Sequence, residues 1–245
     1  MNKILILGAT SAIAEATARR YAAQNAALYL VGRDTARLQA IAQDLRVRGA
    51  AQVQLEALDL NAFEQHAAML DRAEQALGGL DLALIAHGTL PEQQAVQDSV
   101  EATLLEFRTN GLSVIALCTL LAPRLLARRG GALAVISSVA GDRGRASNYV
   151  YGAAKAAVSA YLSGLRQRLN GSGVLVLTIK PGLVDTPMTR AFKKGALWAQ
   201  PDHVARGIVR AIERRHTVVY LPAVWRLIMA IVRAIPEPLF ARLKF

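Results

Sequence analysis

Seven short apolar runs alternate with longer segments of helical spacing, and this alternation restricts the fold more than any other feature of the chain. The runs cover residues 3–7, 27–31, 53–58, 82–86, 132–137, 174–180 and 217–221. Helical spacing fills 12–24, 36–48, 61–77 and 100–129, the last with a turn inside it. Parallel strands need a crossover of helix length between them, and strands apolar on both faces need cover on both sides. The pattern predicts an α/β chain: one domain, a doubly wound parallel sheet with helices on both faces. With 245 residues, 53% apolar and 19% charged, the chain has material for such a core and is neither disordered nor collagen-like. No Pro/Gly/Ser-rich linker interrupts the first 215 residues, and no repeat of fixed period is visible.

The 29 Lys and Arg outnumber the 18 Asp and Glu, giving a formal charge of +11. Such a surplus attracts phosphates, nucleic acid, acidic carrier proteins or an anionic membrane face without choosing among them. Cys118 is the single cysteine, so no intramolecular disulfide or thiolate zinc cluster can form, as suits a reducing compartment. The apolar run after Lys3 ends at Gly8, too short for a signal-peptide core. Both features predict a cytoplasmic protein.

The first strand runs into Gly8, Ala9, Thr10, Ser11, Ala12 and Ile13, a strand, a tight turn and the first turn of a helix. Backbone N–H groups and a helix N-terminus make such a turn a seat for a dinucleotide pyrophosphate, although an ordinary β-to-α turn reads the same way. The second strand ends at Gly32, followed by Arg33 and Asp34. An acidic side chain there accepts bonds from the adenosine ribose of NAD, whereas an Arg accommodates the 2′-phosphate of NADP. Arg33 favours NADP(H) over NAD(H), with Asp34 free to cap the next helix. After the third strand, Asp59 either bonds an adenine amino group or caps the segment from Asn61 onward.

Tyr151 and Lys155 stand four apart, on one face of a predicted helix. An ammonium near a phenol stabilises the phenolate, which lowers the tyrosine pKa and suits it to acid–base work. An exposed pair at helical spacing is the competing reading. Ser138 lies thirteen residues upstream, at the carboxyl end of a predicted strand, where open α/β sheets bind ligands. Its hydroxyl is placed to orient a carbonyl.

With these residues in order, the chain resembles the short-chain dehydrogenase/reductase family over about residues 3–220. The likeness rests on Gly8 to Ile13, Gly32-Arg33, Asp59, Asn110, Ser137-Ser138, Tyr151 with Lys155, and the stretch from Pro181 to Thr186. It implies a Rossmann fold with a seven-stranded parallel sheet and a homodimer or homotetramer. Tyr151 is then the proton donor to a ketone and Ser138 holds the substrate oxygen. Lys155 binds the nicotinamide ribose and depresses the Tyr151 pKa, and Asn110 holds a water linking Lys155 to solvent. The resemblance runs the cofactor past Gly8, Thr10, Ser11, Ala12, Ile13, Arg33, Asp59, Ala86, Gly88, Tyr151 and Lys155. Pro181, Gly182, Val184 and Thr186 border its carboxamide end. Outside the resemblance, Asn110 reads as an amide in a helix bend and Thr186 as a cap before Pro187.

Two departures stand out. The family's second and third turn glycines are Ala12 and Ala14 here, and its Asn-Ala-Gly after the fourth strand is Ala86-His87-Gly88. His87 is either an altered backbone-stabilising residue or a substitution without a chemical role. Other chemistries have less support. The four histidines have no metal-ligand spacing, which predicts no metal, and Ser138 lacks a Gly-x-Ser-x-Gly elbow.

Residues 186–200 read as a substrate flap, whose Met188, Phe192, Leu197 and Trp198 suggest an apolar or large substrate. Residues 221–245 form an apolar, basic extension. Arg226 and Arg233 interrupt its apolar run, and a central Arg costs about 2.5–3.5 kcal/mol on insertion scales, so spanning a bilayer is disfavoured. Trp225, the surrounding aliphatics and the cations, with Arg242, Lys244 and Phe245 beyond, suit a helix lying on the inner face of a membrane. A subunit contact and a helix folded over the active site are the competing readings. The tail is similar to that of reductases of lipid-linked keto sugars.

Together these features predict an NADPH-linked ketone reductase acting on a large, apolar or lipid-linked substrate. Reduction of 3-oxoacyl groups on acyl carrier protein is one alternative, and a non-catalytic cofactor-binding regulator another. No stacking platform or recognition motif accompanies the cations, which argues against nucleic acid.

Overall fold

The structure, a computed structural model, describes residues 2–243. Lys244 and Phe245, assigned above to the basic tail, lie outside the described residues. In chain order the elements are β1 (Lys3–Leu7), α1 (Ala12–Ala22), β2 (Ala27–Gly32), α2 (Thr35–Val47), β3 (Gln52–Ala57), α3 (His66–Leu77), β4 (Leu82–Ile85), α4 (Gln93–Gln97), α5 (Val100–Phe107), α6 (Ser113–Ala127), β5 (Ala132–Ile136), α7 (Tyr149–Arg168), β6 (Leu175–Pro181), α8 (Pro201–Glu213), β7 (Val218–Leu221), α9 (Val224–Ala234) and α10 (Glu237–Phe240).

All seven strands lie parallel in one sheet of order β3-β2-β1-β4-β5-β6-β7. This is the predicted doubly wound Rossmann arrangement. Alternate residues of each strand sort into two cores. Ile4, Ile6, Leu28, Leu30, Leu84 and Leu177 face the side covered by α1, α2 and α8. Leu5, Leu7, Tyr29, Val31, Ile85 and Val135 face the side covered by α3, α6 and α7. Residues 4–7 are all fully buried, which is why the first strand reads as an unbroken apolar run rather than an alternating one.

Two helical segments depart from the expected bounds. The segment expected to be helical from residue 61 begins as a 3-10 turn at Phe63–Gln65 and becomes α-helical only at His66. The Asp59 carboxylate accepts from the Asn61 N–H at 3.0 Å, closing a local turn instead of capping a helix. Between α5 and α6 the turn expected within 100–129 is a π-helical stretch, Arg108–Leu112, that buries Asn110 and Gly111. Val100–Ala127 is long and apolar enough to cross a membrane by length and composition. Its α6 half is a core helix, with Leu117, Cys118, Leu121 and Leu125 fully buried.

The order of the sheet reverses between β1 and β4, and the crevice outside the carboxyl ends of the strands at such a point is where open α/β sheets bind ligands. The C-terminal extension closes over this end of the sheet. Trp225 and Met229 of α9 pack against Val139 just beyond β5. Arg143 fastens the end of α9, donating to Val232 O at 2.7 Å and Ile235 O at 2.5 Å, pairing with Glu237 and lying 3.7 Å over the Phe240 ring. Of the three readings of the tail, its inner face is the one folded over the site. Its outer face presents Leu227, 65% exposed, and Ile231, 59% exposed.

Candidate active site

A cavity of about 400 Å³ opens at the switch point, within the range of small-molecule sites. Every residue assigned above to catalysis or cofactor contact lines it: Gly8, Thr10, Ser11, Ala12, Ile13, Arg33, Asp59, Ala86, Gly88, Asn110, Ser138, Tyr151, Lys155, Pro181, Gly182, Val184 and Thr186.

At the β1 end, Gly8 has φ +84°, and a Cβ there would lie 2.5 Å from the His87 backbone nitrogen. Glycine is therefore required at the first position of the turn. Ala14 is fully buried, so one of the two extra methyls sits in the core rather than in the crevice. Ser11 stands at the N-cap of α1 but its hydroxyl makes no capping bond, leaving hydroxyl and first-turn N–H groups available to an anion. At the end of β2, Asp34 caps α2 by accepting from the Arg37 N–H at 3.0 Å, and so is occupied. Arg33 is exposed on the cavity edge with no ion pair to a described residue. Arg37, in the first turn of α2 and 3.7 Å from the Glu15 carboxylate, lines the same edge and was missed in the sequence. Its place at the start of the helix that follows Arg33 was the available signal. These features fit a phosphate-bearing dinucleotide.

His87 is held in one tautomer by its neighbours. The Ser113 hydroxyl donates to Leu60 O, so it accepts from His87 Nε2–H at 3.0 Å. His66 Nε2 bonds the same carbonyl at 2.9 Å. His87 thus ties the loop after β4 to α6 and the loop after β3, a backbone-bracing role. Burial holds it neutral, its pKa pulled down to about 3.

At the β5 end, Ser138 begins the turn beyond the strand, and its Oγ accepts from the Ala140 N–H at 3.1 Å. The Tyr151 side chain shares this end of the cavity with Ser138, whose hydroxyl favours the phenolate. Lys155 is 3% exposed, its Nζ 5.6 Å from the Tyr151 ring centre and 3.3 Å from Ile136 O. Gly88 lets these groups converge, since a Cβ there would sit 2.6 Å from Asn110 Oδ1 and 3.4 Å from Lys155 Nζ. The Asn110 side chain is held at three points: Oδ1 accepts from Thr89 N–H at 3.1 Å, and Nδ2 donates to Thr89 Oγ1 at 3.0 Å and Glu106 Oε2 at 2.9 Å. Both Nδ2 protons are spent, which leaves the backbone and the second lone pair of Oδ1 for a water.

The expected depression of the Tyr151 pKa is absent in this arrangement. Burial pushes the phenol up to about 12, with the Ser138 hydroxyl opposing and the Glu106 charge adding. Burial also pulls Lys155 down to about 8, while Glu106 raises it. Desolvation thus sets the direction for both groups, and the Lys155 ammonium is turned to the Ile136 carbonyl. The Tyr151 phenol keeps its proton across neutral pH. Glu106, absent from the sequence reading, is the carboxylate that balances this buried cation.

The flap also needs correction. Of the four residues expected to face substrate, Met188 lines the cavity, whereas Phe192 and Leu197 are exposed and Trp198 lies on a separate depression. The Asp185–Lys194 pair at 2.5 Å and the bridge from Val184 to Ala199 tie the ends of the flap together and leave its tip outside. Thr186 starts a 3-10 turn and its N–H is held by Thr189 Oγ1 at 3.1 Å. The tryptophan in the cavity wall is Trp225.

The sequence model of the short chain dehydrogenase family matches residues 2–196. An uncharacterized oxidoreductase of Streptomyces coelicolor is 35% identical over 243 residues, covering 99% of this chain and 96% of that protein. An uncharacterized oxidoreductase of Mycobacterium tuberculosis is 32% identical, covering 98% and 96%. Among solved structures, a short-chain type dehydrogenase/reductase from Mycobacterium ulcerans superposes with a TM-score of 0.84 at 22% identity, covering 98% of this chain and 96% of that one, a likeness of fold.

Proposed function

Because the chain belongs to the short-chain dehydrogenase/reductase family, and so is an NAD(P)-dependent oxidoreductase interconverting an alcohol and a carbonyl, we propose that it is an NADPH-dependent reductase of ketones. The observation that carries this reading is the convergence of Ser138, Tyr151, Lys155 and Asn110 in one cavity beside an uncommitted Arg33. The cofactor supplies the hydride. Ser138 and Tyr151 hold the carbonyl oxygen, and the phenol, kept neutral by burial, gives it a proton. Lys155 stabilises the phenolate left behind, restores its proton and holds a ribose. Asn110, positioned by Thr89 and Glu106, offers its backbone to a water that replaces the proton Lys155 has given up. Arg33, with Arg37 beside it, binds the 2′-phosphate, and the first turn of α1 takes the pyrophosphate.

The substrate side is lined by Leu183, Pro187, Met188 and Trp225, which supports a substrate with apolar bulk. The exposed apolar ridge of Val224, Leu227, Ile231, Leu239 and Leu243, with Arg226 and Arg242 alongside, supports contact with an anionic membrane and hence a lipid-linked substrate. Leu104, Leu105 and Leu112, exposed along α5 and the π-helical stretch, support self-association. The test is NADPH oxidation over a panel of ketones that includes lipid-linked sugars and acyl thioesters. Reduction of a member with NADPH supports the reading, and turnover confined to alcohol oxidation with NAD+ contradicts it.

A further inference from the structure

Three polar atoms on the substrate side of the cavity are buried without a hydrogen-bond partner: Arg145 Nε, Asn148 Oδ1 and Trp225 Nε1. Unmade hydrogen bonds of this kind are costly, and their gathering in residues that line one cavity marks a wall whose polar groups are not satisfied by the protein alone. Arg145 sits on the loop between Ser138 and Tyr151, at the carbonyl end of the crevice and away from the turn at Gly8. Its backbone carbonyl accepts from the Asn148 N–H at 3.0 Å, but among the described residues its side chain makes no ion pair or hydrogen bond. The acidic group that acts on it, Asp142, is already bound by Lys180 and by the Tyr220 hydroxyl at 2.8 Å. Burial accordingly disfavours the Arg145 charge, and a guanidinium in that state gains from an anion. Trp225, 6% exposed and carried by α9, walls this side of the cavity.

We propose that this face is an oxyanion subsite: the ketone held by Ser138 and Tyr151 carries a carboxylate or phosphate group, bound by the Arg145 guanidinium. Asn148 Oδ1 is an acceptor and suits a hydroxyl of the same molecule. The inference deepens the reductase reading and rests on it for the placement of the ketone. The positive charge of Arg145 selects for the oxyanion, while Met188 and the indole face accommodate the remainder of the substrate.

The test is calorimetric titration of the full chain with two matched pairs: benzoylformate against its methyl ester, and dihydroxyacetone phosphate against dihydroxyacetone. Each titration is run with the protein alone and saturated with NADP+, so that the cofactor's own phosphate seats are filled in one arm. The anionic member of at least one pair is expected to bind about tenfold or more tightly than its neutral twin, and Arg145→Met to erase the difference. The pair that discriminates tells carboxylate from phosphate. Equal binding in both pairs overturns the subsite, as does no binding of either anion up to about 10 mM. A preference that survives Arg145→Met overturns it equally. Binding is read without turnover, so Tyr151→Phe should keep the preference. Preference without ketone reduction by the wild type would fault the reductase reading alone.

Discussion

The Trp225 indole rests on the backbone of Gly182: a Cβ on Gly182 would fall 1.9 Å from Trp225 Nε1 and 2.1 Å from Cε2. The C-terminal helix and the segment after β6 therefore share one surface, and neither can shift alone. Gly182→Ala is expected to lift α9 from the site, at a cost of about 1–3 kcal/mol typical of overpacking. Faster proteolysis between Pro222 and Val224, with α1 to β5 still protected, checks this. Unchanged Trp225 fluorescence and proteolysis would refute the contact.

In the proposed NADPH reading Arg33 is the discriminating cation at the end of β2, since Asp34 is spent on capping α2. Arg33→Ala is expected to weaken NADPH binding about 10- to 100-fold and to leave NADH within a few fold. Nucleotide titrations of both proteins measure it. A wild-type preference for NADH contradicts the assignment.

Glu106 is expected to set the alkaline limit of the reaction. Lys155 titrates at about 8, so ketone reduction should fall as pH rises through that value and the ammonium is lost. The Glu106 charge raises Lys155, so Glu106→Gln should move the limb to lower pH, a shift that a purely structural defect does not give. The effect on stability has the opposite sign. The folded value lies below the ordinary 10.5, so between about 8 and 10.5 the unfolded chain holds the extra proton and stability rises with pH. Profiles of kcat for both proteins decide it, an unmoved limb counting against Glu106.

The outer face of α9 offers a direct test of membrane contact. Leu227 and Ile231 are exposed and support no core packing, so Leu227→Asp with Ile231→Asp should leave stability within about 0.5 kcal/mol. The double variant is expected to lose flotation with phosphatidylglycerol vesicles that carry the wild type. Equal flotation of the two removes the membrane reading.

The sheet was legible because its strands are apolar on both faces and its crossovers have helical spacing, and every strand end fell within a residue of its expected place. The Tyr151–Lys155 pair was legible because i,i+4 spacing fixes a shared helix face. Other features depended on contacts that no local pattern carries. Glu106 matters through Thr89 and Asn110, and His87 through Ser113 and Leu60, partners brought near by the fold. Trp225 looked like a membrane anchor because its packing partner, Val139, is distant in sequence. The direction of the Tyr151 shift was misjudged because spacing reports a neighbouring charge but not the burial that outweighs it.

The central claim is that Tyr151 delivers the proton to a carbonyl. The most direct measurement is ketone-dependent NADPH oxidation by Tyr151→Phe, with NADPH affinity and thermal unfolding measured on the same protein. A loss of about 10²- to 10⁴-fold in kcat with cofactor binding and fold retained is predicted, whereas turnover at the wild-type rate would contradict the mechanism.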